Sequence, residues 1–278
     1  MITVVAEKPS VARDIGRVLG ATQRGDGCLR GGGYTVTWAV GHLVALAEPE
    51  RVDPRWKGWR FEYLPMIPER WPLYVVDATR AQFEVVRRLI TSPETRQVVC
   101  ATDAGREGEL IFRYIAELAE LTKPLKRLWI SSLTDEAIRA GFQRLRDGSE
   151  FDALADAARG RSRADWLVGM NLSRAYTLRA QSQSSAQGAE KPQVFSVGRV
   201  QTPTLAMIVE RDRAIRNFVP EEYLEVALEL SPEHGPPSFE ARFVRTPEDH
   251  EPCRLPADRV EAEALCQRAN AGKLRSEE

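Results

Sequence analysis

The chain has 278 residues, 43% of them hydrophobic and 28% charged, with a formal net charge of −1. This is the balance of a globular protein of about two domains, and it excludes disordered and fibrous classes. No apolar run approaches the ~18–20 residues that span a bilayer and no signal peptide opens the chain, so a cytoplasmic protein without a membrane anchor is expected.

The chain opens MITVVAEKPSVARDIGRVLG. Ile2–Val5 is a β-rich run, residues 6–10 are a turn, and a helix is expected over Val11–Leu19 with Val11, Ile15, Val18 and Leu19 on its apolar side. A strand therefore ends in an acid, Glu7, beside a base, Lys8. Tyr34–Ala39 is a further strand candidate, followed by VGHL at 40–43. His42 in that turn would contact phosphate or be satisfied by backbone; both readings stand. Pro49–Pro72, with Trp56, Trp59, Trp71 and prolines at 49, 54, 65, 68 and 72, reads as a long irregular connection. Its aromatics could stack bases, but packing the loop down is the use favoured here.

Leu73–Val76, Val98–Ala101 and Arg127–Trp129 are further strand candidates. Ala81–Ile90, Gly108–Ala119 and Thr134–Arg144 are helix candidates, the last capped by Ser132 or Thr134. The segment VVCATDAGREGELIFRY, Val98–Tyr114, is the most informative. It reads as strand, tight loop and helix, with Asp103, Glu107 and Glu109 gathered where the strand ends. A helix N-terminus attracts anions without acids, so acids here suit a divalent cation more than a bare phosphate. The GxxxxGK[ST] phosphate loop is absent. The alternative is an acidic helix start with a capping Asp. In a parallel sheet adjacent strand ends share one crevice, so Glu7, Asp103 and Glu107 could surround one metal, leaving Lys8 free to meet a phosphate.

Residues 149–190 read as helical, with Gln181–Lys191 a mobile polar loop, and Pro203–Arg216 reads as another helix. Arg159, Arg161, Arg163, Arg174 and Arg179 crowd this region, while Asp165 and Glu190 are the only acids between 158 and 209. Phosphate attraction is local, so a neutral chain can carry a basic channel; the alternative is arginines lying over apolar neighbours on a solvated helix face. Tyr223–Leu230 and Phe239–Val244 alternate like strands, with Pro236–Pro237 breaking the chain between them. Pro256–Ala271 reads as a charged amphipathic helix without a partner. Cysteines 28, 100, 253 and 266 form no CxxC pair, which argues against a zinc ribbon or disulfide framework.

AEKPS, VGHL and ATDAGREGELI, followed by ARGRSRADWLVGMNLSRAYT (158–177) and FSVGRVQTPTLAMIVERD (195–212), together resemble the type IA DNA topoisomerases, most closely the bacterial topoisomerase III branch. The resemblance implies an α/β Toprim domain, Rossmann-like with a mainly parallel sheet, over 1–148. It implies a helical DNA-binding domain over 149–216 and the start of a β-rich arch domain over 217–278. It further implies Mg²⁺-dependent, ATP-independent cleavage and religation of single-stranded DNA through a 5′-phosphotyrosine, relaxing negative supercoils or decatenating DNA. Glu7 and Lys8 would be catalytic, and Glu7, Asp103 and Glu107 the metal ligands. Lys8, His42, Arg161, Asp165, Arg199 and Gln201 would contact DNA. A helicase is the implied partner of the full-length protein; no nucleotide cofactor is expected.

Two departures qualify this. The usual Asp-x-Asp-x-Glu motif carries Gly105 in place of its middle acid. None of the six tyrosines lies in a segment like TYxRTDS, where the family's nucleophile stands, so the chain is expected to stop short of the nucleophile and to be inactive alone. Another Toprim enzyme (a primase or nuclease) and a non-catalytic single-strand-binding remnant are the competing readings.

Overall fold

The computed structural model describes residues 1–185, 193–231, 237–246, 248 and 251–272. It divides into two compact units, Met1–Leu205 and Ala206–Glu278. The expected mobile loop at 181–191 is helical to Ser185, and the rest of it lies outside the described residues, as does Pro236.

The first unit is built on a seven-stranded sheet in the order β2-β3-β4-β1-β7-β8-β9. Its strands are β1 (Ile2–Ala6), β2 (Gln23–Gly25), β3 (Cys28–Gly31), β4 (Tyr34–Trp38), β7 (Gln97–Ala101), β8 (Leu125–Arg127) and β9 (Arg146–Asp147). The central β4-β1-β7-β8 strands are parallel, while the β2–β3 hairpin and β9 add antiparallel edges. A separate two-stranded ribbon pairs β5 (Val44–Leu46) with β6 (Leu73–Val75), so the Leu73 segment does not join the main sheet.

The central strands are apolar on both faces because helices cover both. Val4, Ala6, Val99 and Ala101 pack with Val11 and Ile15 of α1 (Pro9–Leu19) and Ile138 of α5 (Asp135–Gln143). The alternate residues Val5, Val98 and Cys100 pack with Phe83 and Val86 of α3 (Arg80–Thr91) and with Ile111 and Ile115 of α4 (Arg106–Leu118). Thr134 caps α5 as expected, its hydroxyl accepting from the Ala137 N–H at 3.3 Å. Burial of Cys100 raises its pKa, as for an inert core thiol.

α6 (Asp152–Ser185) fixes the 49–72 connection, which itself contains the short helix α2 (Pro49–Val52). Trp166 Nε1 donates to the Ala47 carbonyl at 3.0 Å, and its ring lies edge-on to Trp71 at 5.5 Å. The Asn171 side chain brackets the buried Met66, accepting from its N–H at 2.6 Å and donating to its carbonyl at 3.0 Å. Arg174 Nη1 donates to the Trp56 carbonyl at 2.5 Å, with Trp59 under the guanidinium. Burial pulls the Arg174 pKa down, against the upward pull of Glu50 and Glu48. Packing is thus what most of these aromatics do.

In the second unit β10 (Tyr223–Leu224) pairs antiparallel with β13 (Leu255–Pro256), and β11 (Ala227–Leu230) with β12 (Phe239–Arg242). The helix expected from Pro256 is α8, Val260–Ala271, and it is not without a partner: its Ala262 is buried with Val226 and Leu255. α7 (Gln201–Arg216) crosses the boundary between the units.

The Asn171 bracket generates a prediction. Asn171→Ala leaves both Met66 backbone groups without side-chain partners, and an unsatisfied buried polar group costs ~1–3 kcal/mol. Urea unfolding is expected to show a loss of that order.

Candidate functional site

In the sheet order, β4 and β7 flank β1, so the chain leaves β1 toward one side and later returns on the other. Ligands of open α/β sheets bind at such a switch point, at the carboxyl ends of the strands. The register sets Ala6 beside Ala101, so Glu7 and the Thr102–Asp103 turn leave the sheet together. Glu7 Oε2 accepts from the Asp103 N–H at 3.1 Å, and Glu7 is nearly buried. The carboxylate is committed to the neighbouring strand end, and the N-cap position of α1 is Lys8, with no side-chain cap bond.

Lys8 is not free. Its Nζ lies 3.6 Å from Glu7 Oε1 and 3.6 Å from Asp103 Oδ2. One ammonium thus balances two carboxylates that would otherwise repel across the crevice. Glu107 does not join them: its Oε1 lies 2.7 Å from His42 Nε2. Gly41, at φ 81, makes the left-handed turn that carries the chain from β4 to His42. His42 therefore faces a carboxylate. Among the described residues no three His, Cys, Asp or Glu side chains are grouped to hold a metal ion.

The Asp103 turn is held from below by charge. Arg127, 1% exposed, donates from Nε to Glu109 Oε2 at 2.9 Å, from Nη1 to the Thr102 and Leu128 carbonyls at 2.7 and 2.8 Å, and from Nη2 to the Asp103 carbonyl at 2.7 Å. Arg113 Nε engages the other Glu109 oxygen at 2.8 Å. Gly108 lets α4 sit directly on this turn, because a Cβ there would run into the Asp103 carbonyl oxygen. Gly105 differs: its backbone is extended (φ −172), and a Cβ would meet nothing within 4 Å.

A cavity of about 240 Å³ opens next to these groups, between α4, α6 and β5. Its polar lining is His42, Arg106, Glu107, Arg161, Ser162 and Asp165. The buried hydroxyl of Tyr114, which also lines the cavity, has no hydrogen-bond partner among the described residues. Asp165 joins two arginines, with Oδ1 2.9 Å from Arg199 Nη1 and Oδ2 3.8 Å from Arg161 Nε. Gln201 Nε2 donates to Ser196 Oγ at 2.6 Å.

The structure thus brings His42, Glu107, Arg161 and Asp165 to one cavity, with Glu7, Lys8 and Asp103 grouped at the sheet end. It does not gather the arginines of 159–179 into one channel. Arg159 pairs with Asp156 and Glu117, Arg163 lies over Trp71, and Arg174 is buried under the 49–72 connection. Successive residues two apart on a helix, as Arg159, Arg161 and Arg163 are, turn to opposite sides, and Arg159, Arg163 and Arg174 each find a different partner. Sequence reasoning missed Arg127, Arg106, Ser162 and Tyr114, and it counted Glu109 among the acids at the strand end without the buried arginine that Glu109 pairs with. An arginine in an otherwise apolar strand, with a second acid in the following helix start, was the available signal for that pair, because buried charges need partners.

A family model of the Toprim domain matches residues 3–133, and one described as DNA topoisomerase matches residues 149–273. The chain is 50% identical over 226 residues to the DNA topoisomerase 3 of Shouchella clausii, covering 81% of this chain and 30% of that protein. It is 50% identical over 220 residues to the DNA topoisomerase 3 of Bacillus subtilis, covering 79% of this chain and 29% of that protein. Full-length topoisomerase I from Thermotoga maritima shares the fold, with a TM-score of 0.54 at 22% identity over 95% of this chain and 37% of that one. The chain therefore spans about 30% of the length of the relatives it matches.

The buried ion pair sets a prediction. Arg127→Met takes from the buried Glu109 one of its two guanidinium partners, leaving Arg113, and takes from the Thr102 and Asp103 carbonyls their donor; breaking a buried pair costs up to ~3–5 kcal/mol. Denaturant unfolding is expected to show a loss in that range. The double variant Arg127→Met/Glu109→Leu should recover part of it, but not all, since the Thr102 and Asp103 carbonyls still lose their donor.

Proposed function

The chain belongs to the type IA DNA topoisomerase family, and from that premise we propose that it carries the Toprim face and strand-binding groove of a topoisomerase III-like enzyme. The observation that carries this reading is the convergence of Glu7, Lys8 and Asp103 at the carboxyl ends of β1 and β7. The full-length enzyme cleaves and rejoins single-stranded DNA through a 5′-phosphotyrosine, without ATP. It thereby relaxes negative supercoils or decatenates DNA, with a helicase as its partner. The match of residues 149–273 to DNA topoisomerase speaks against a primase or nuclease. The functional division is 1–148, 149–216 and 217–278.

Phosphoryl transfer is mostly positioning and charge stabilisation. Lys8 steadies the scissile phosphate with its ammonium, exchanging its carboxylate partners for the phosphate oxygens. Glu7, fixed by the Asp103 N–H, passes a proton to the departing 3′ oxygen and takes it back on rejoining. Arg161 and Arg199 meet backbone phosphates along the groove, with Gln201 beside them, His42 contacts the strand near the scissile phosphate, and Asp165 keeps the two guanidinium groups together.

The family implies Mg²⁺. Two hard carboxylates, Glu7 and Asp103, lie within reach of the same cationic group, and Mg²⁺ commonly takes one or two carboxylates and keeps several waters. The donor set fits. Glu7 and Asp103 would hold the ion, with Glu107 able to join by leaving His42. When bound it supplies positive charge to the phosphodiester.

Two measurements test these assignments. The chain is expected to bind single-stranded DNA without sequence preference, and Arg161→Ala should lower the log–log salt slope by ~0.7. A salt-independent affinity, or no binding at low salt, removes the groove reading. Calorimetry is expected to show one Mg²⁺ of modest affinity, weakened by Asp103→Ala. Gly105→Asp should strengthen it at unchanged Tm, because the position has room for a carboxylate; two tight sites in the parent would overturn the two-carboxylate assignment.

A further inference from the structure

Residues 193–198 form no helix or strand, yet they are not loose. Ser173 Oγ accepts from the Val197 N–H at 2.9 Å and lies 3.3 Å from the Val197 carbonyl as a donor. One helical turn on, Thr177 Oγ1 accepts from the Phe195 N–H at 2.9 Å and lies 3.5 Å from the Phe195 carbonyl. Each hydroxyl therefore meets both polar groups of one backbone residue. The spacing explains the fit. Residues four apart on a helix rise ~6 Å, and residues two apart on extended chain rise ~6.6 Å. Two hydroxyls at i and i+4 on α6 thus match two alternate peptide groups of a chain laid along it. Thr177 is fully buried and Ser173 half-buried, so these bonds are partly shielded from water.

The end of this segment is fixed as well. The Gly198 N–H donates to Thr202 Oγ1 at 3.0 Å and the Thr202 N–H to the Gly198 carbonyl at 3.2 Å, closing the turn into α7. Arg199 lies inside that turn, and its guanidinium bonds Asp165, two turns before Ser173 on α6. Arg199 is thus tied to α6 twice, once through its side chain and once through the backbone that Ser173 and Thr177 hold.

We propose that Ser173 and Thr177 are positioning residues for Arg199: they set the register of 193–198 on α6 and so hold the Arg199 guanidinium on Asp165, beside Arg161, at the edge of the cavity. A shift by one residue would turn the Phe195 and Val197 backbone groups away from the hydroxyls and carry Arg199 ~3.3 Å along α6, out of reach of Asp165. The consequence for DNA rests on the groove reading above; the positioning itself does not.

The test compares Ser173→Ala/Thr177→Val, which removes both hydroxyls at nearly constant volume, with Ser173→Thr/Thr177→Ser, which keeps them. Three quantities are read on the 278-residue chain: hydrogen exchange at the Phe195 and Val197 amides, rotation of the Arg199 guanidinium by nitrogen NMR, and the salt dependence of binding to an oligothymidylate. The hydroxyl-free variant is expected to lose protection at both amides and to free the guanidinium. Oligothymidylate binding should weaken about fivefold at low salt, with the slope reduced by ~0.7. Adding Arg199→Ala should then cost nothing further, and the hydroxyl-keeping variant should match the parent. Ser173→Ala alone should show the same changes in part and covers the case in which the double variant fails to fold. Unchanged amide protection, or lost protection with the guanidinium still held on Asp165, overturns the proposal. If the guanidinium is freed while Arg199→Ala leaves oligothymidylate binding unchanged, the positioning stands and the groove reading falls.

Discussion

The arrangement at the sheet end depends on one buried ion pair. Arg127 ends β8, Glu109 sits in the first turn of α4, and the guanidinium also collects the carbonyls of Thr102 and Asp103 as β7 gives way to the turn. A pair so buried adds little net stability by itself, because desolvating both charges is expensive. What it secures is position. Two strands, a helix start and a turn are locked to one planar group with fixed donor directions. Asp103 leaves that turn, its N–H holds Glu7, and Glu7 and Asp103 together hold Lys8.

Charge is distributed in two tiers. Below, Arg127, Glu109 and Arg113 are shielded and satisfied. Above, Asp103, Lys8, Glu107 and His42 are solvated and paired loosely or across the crevice. Solvated pairs rearrange at small cost, near the ~0–1 kcal/mol of ordinary surface pairs. This lets Lys8 change partners when a phosphate arrives, and lets Glu107 leave His42, without disturbing the turn beneath. Gly105 belongs to the upper tier: it leaves one carboxylate fewer in a crevice where Lys8 balances Glu7 and Asp103.

α6 is the second organiser. It carries Trp166, Asn171 and Arg174 against the 49–72 connection, Arg161 and Asp165 at the cavity, and Ser173 and Thr177 against residues 193–198. A helix of 34 residues used on several sides has no single apolar stripe. For that reason its arginines read as one basic cluster in sequence and separate in space.

The sequence by itself determined the alternation of strands and helices in 1–148, the acid-bearing strand ends and the family. These rest on local patterns: β-branched runs, apolar spacing on α1, α3 and α4, and motifs whose residues are close in sequence. It did not reveal the β2–β3 hairpin, whose first strand QRG is polar and exposed, or the fate of Leu73–Val75, which pairs with β5 outside the main sheet. It did place Glu7 and Asp103 at one crevice, but it did not show that Glu107 turns away from them. Glu7 and Asp103 are 96 residues apart and were brought together by the parallel register of β1 and β7, while Glu107, four residues from Asp103, faces His42. Side-chain partners across a crevice are set by strand order and turn geometry, and the pairings of Lys8, Arg127 and Arg199 depend on both. Local pattern fixes what each segment is; only the folded sheet decides which charges face one another.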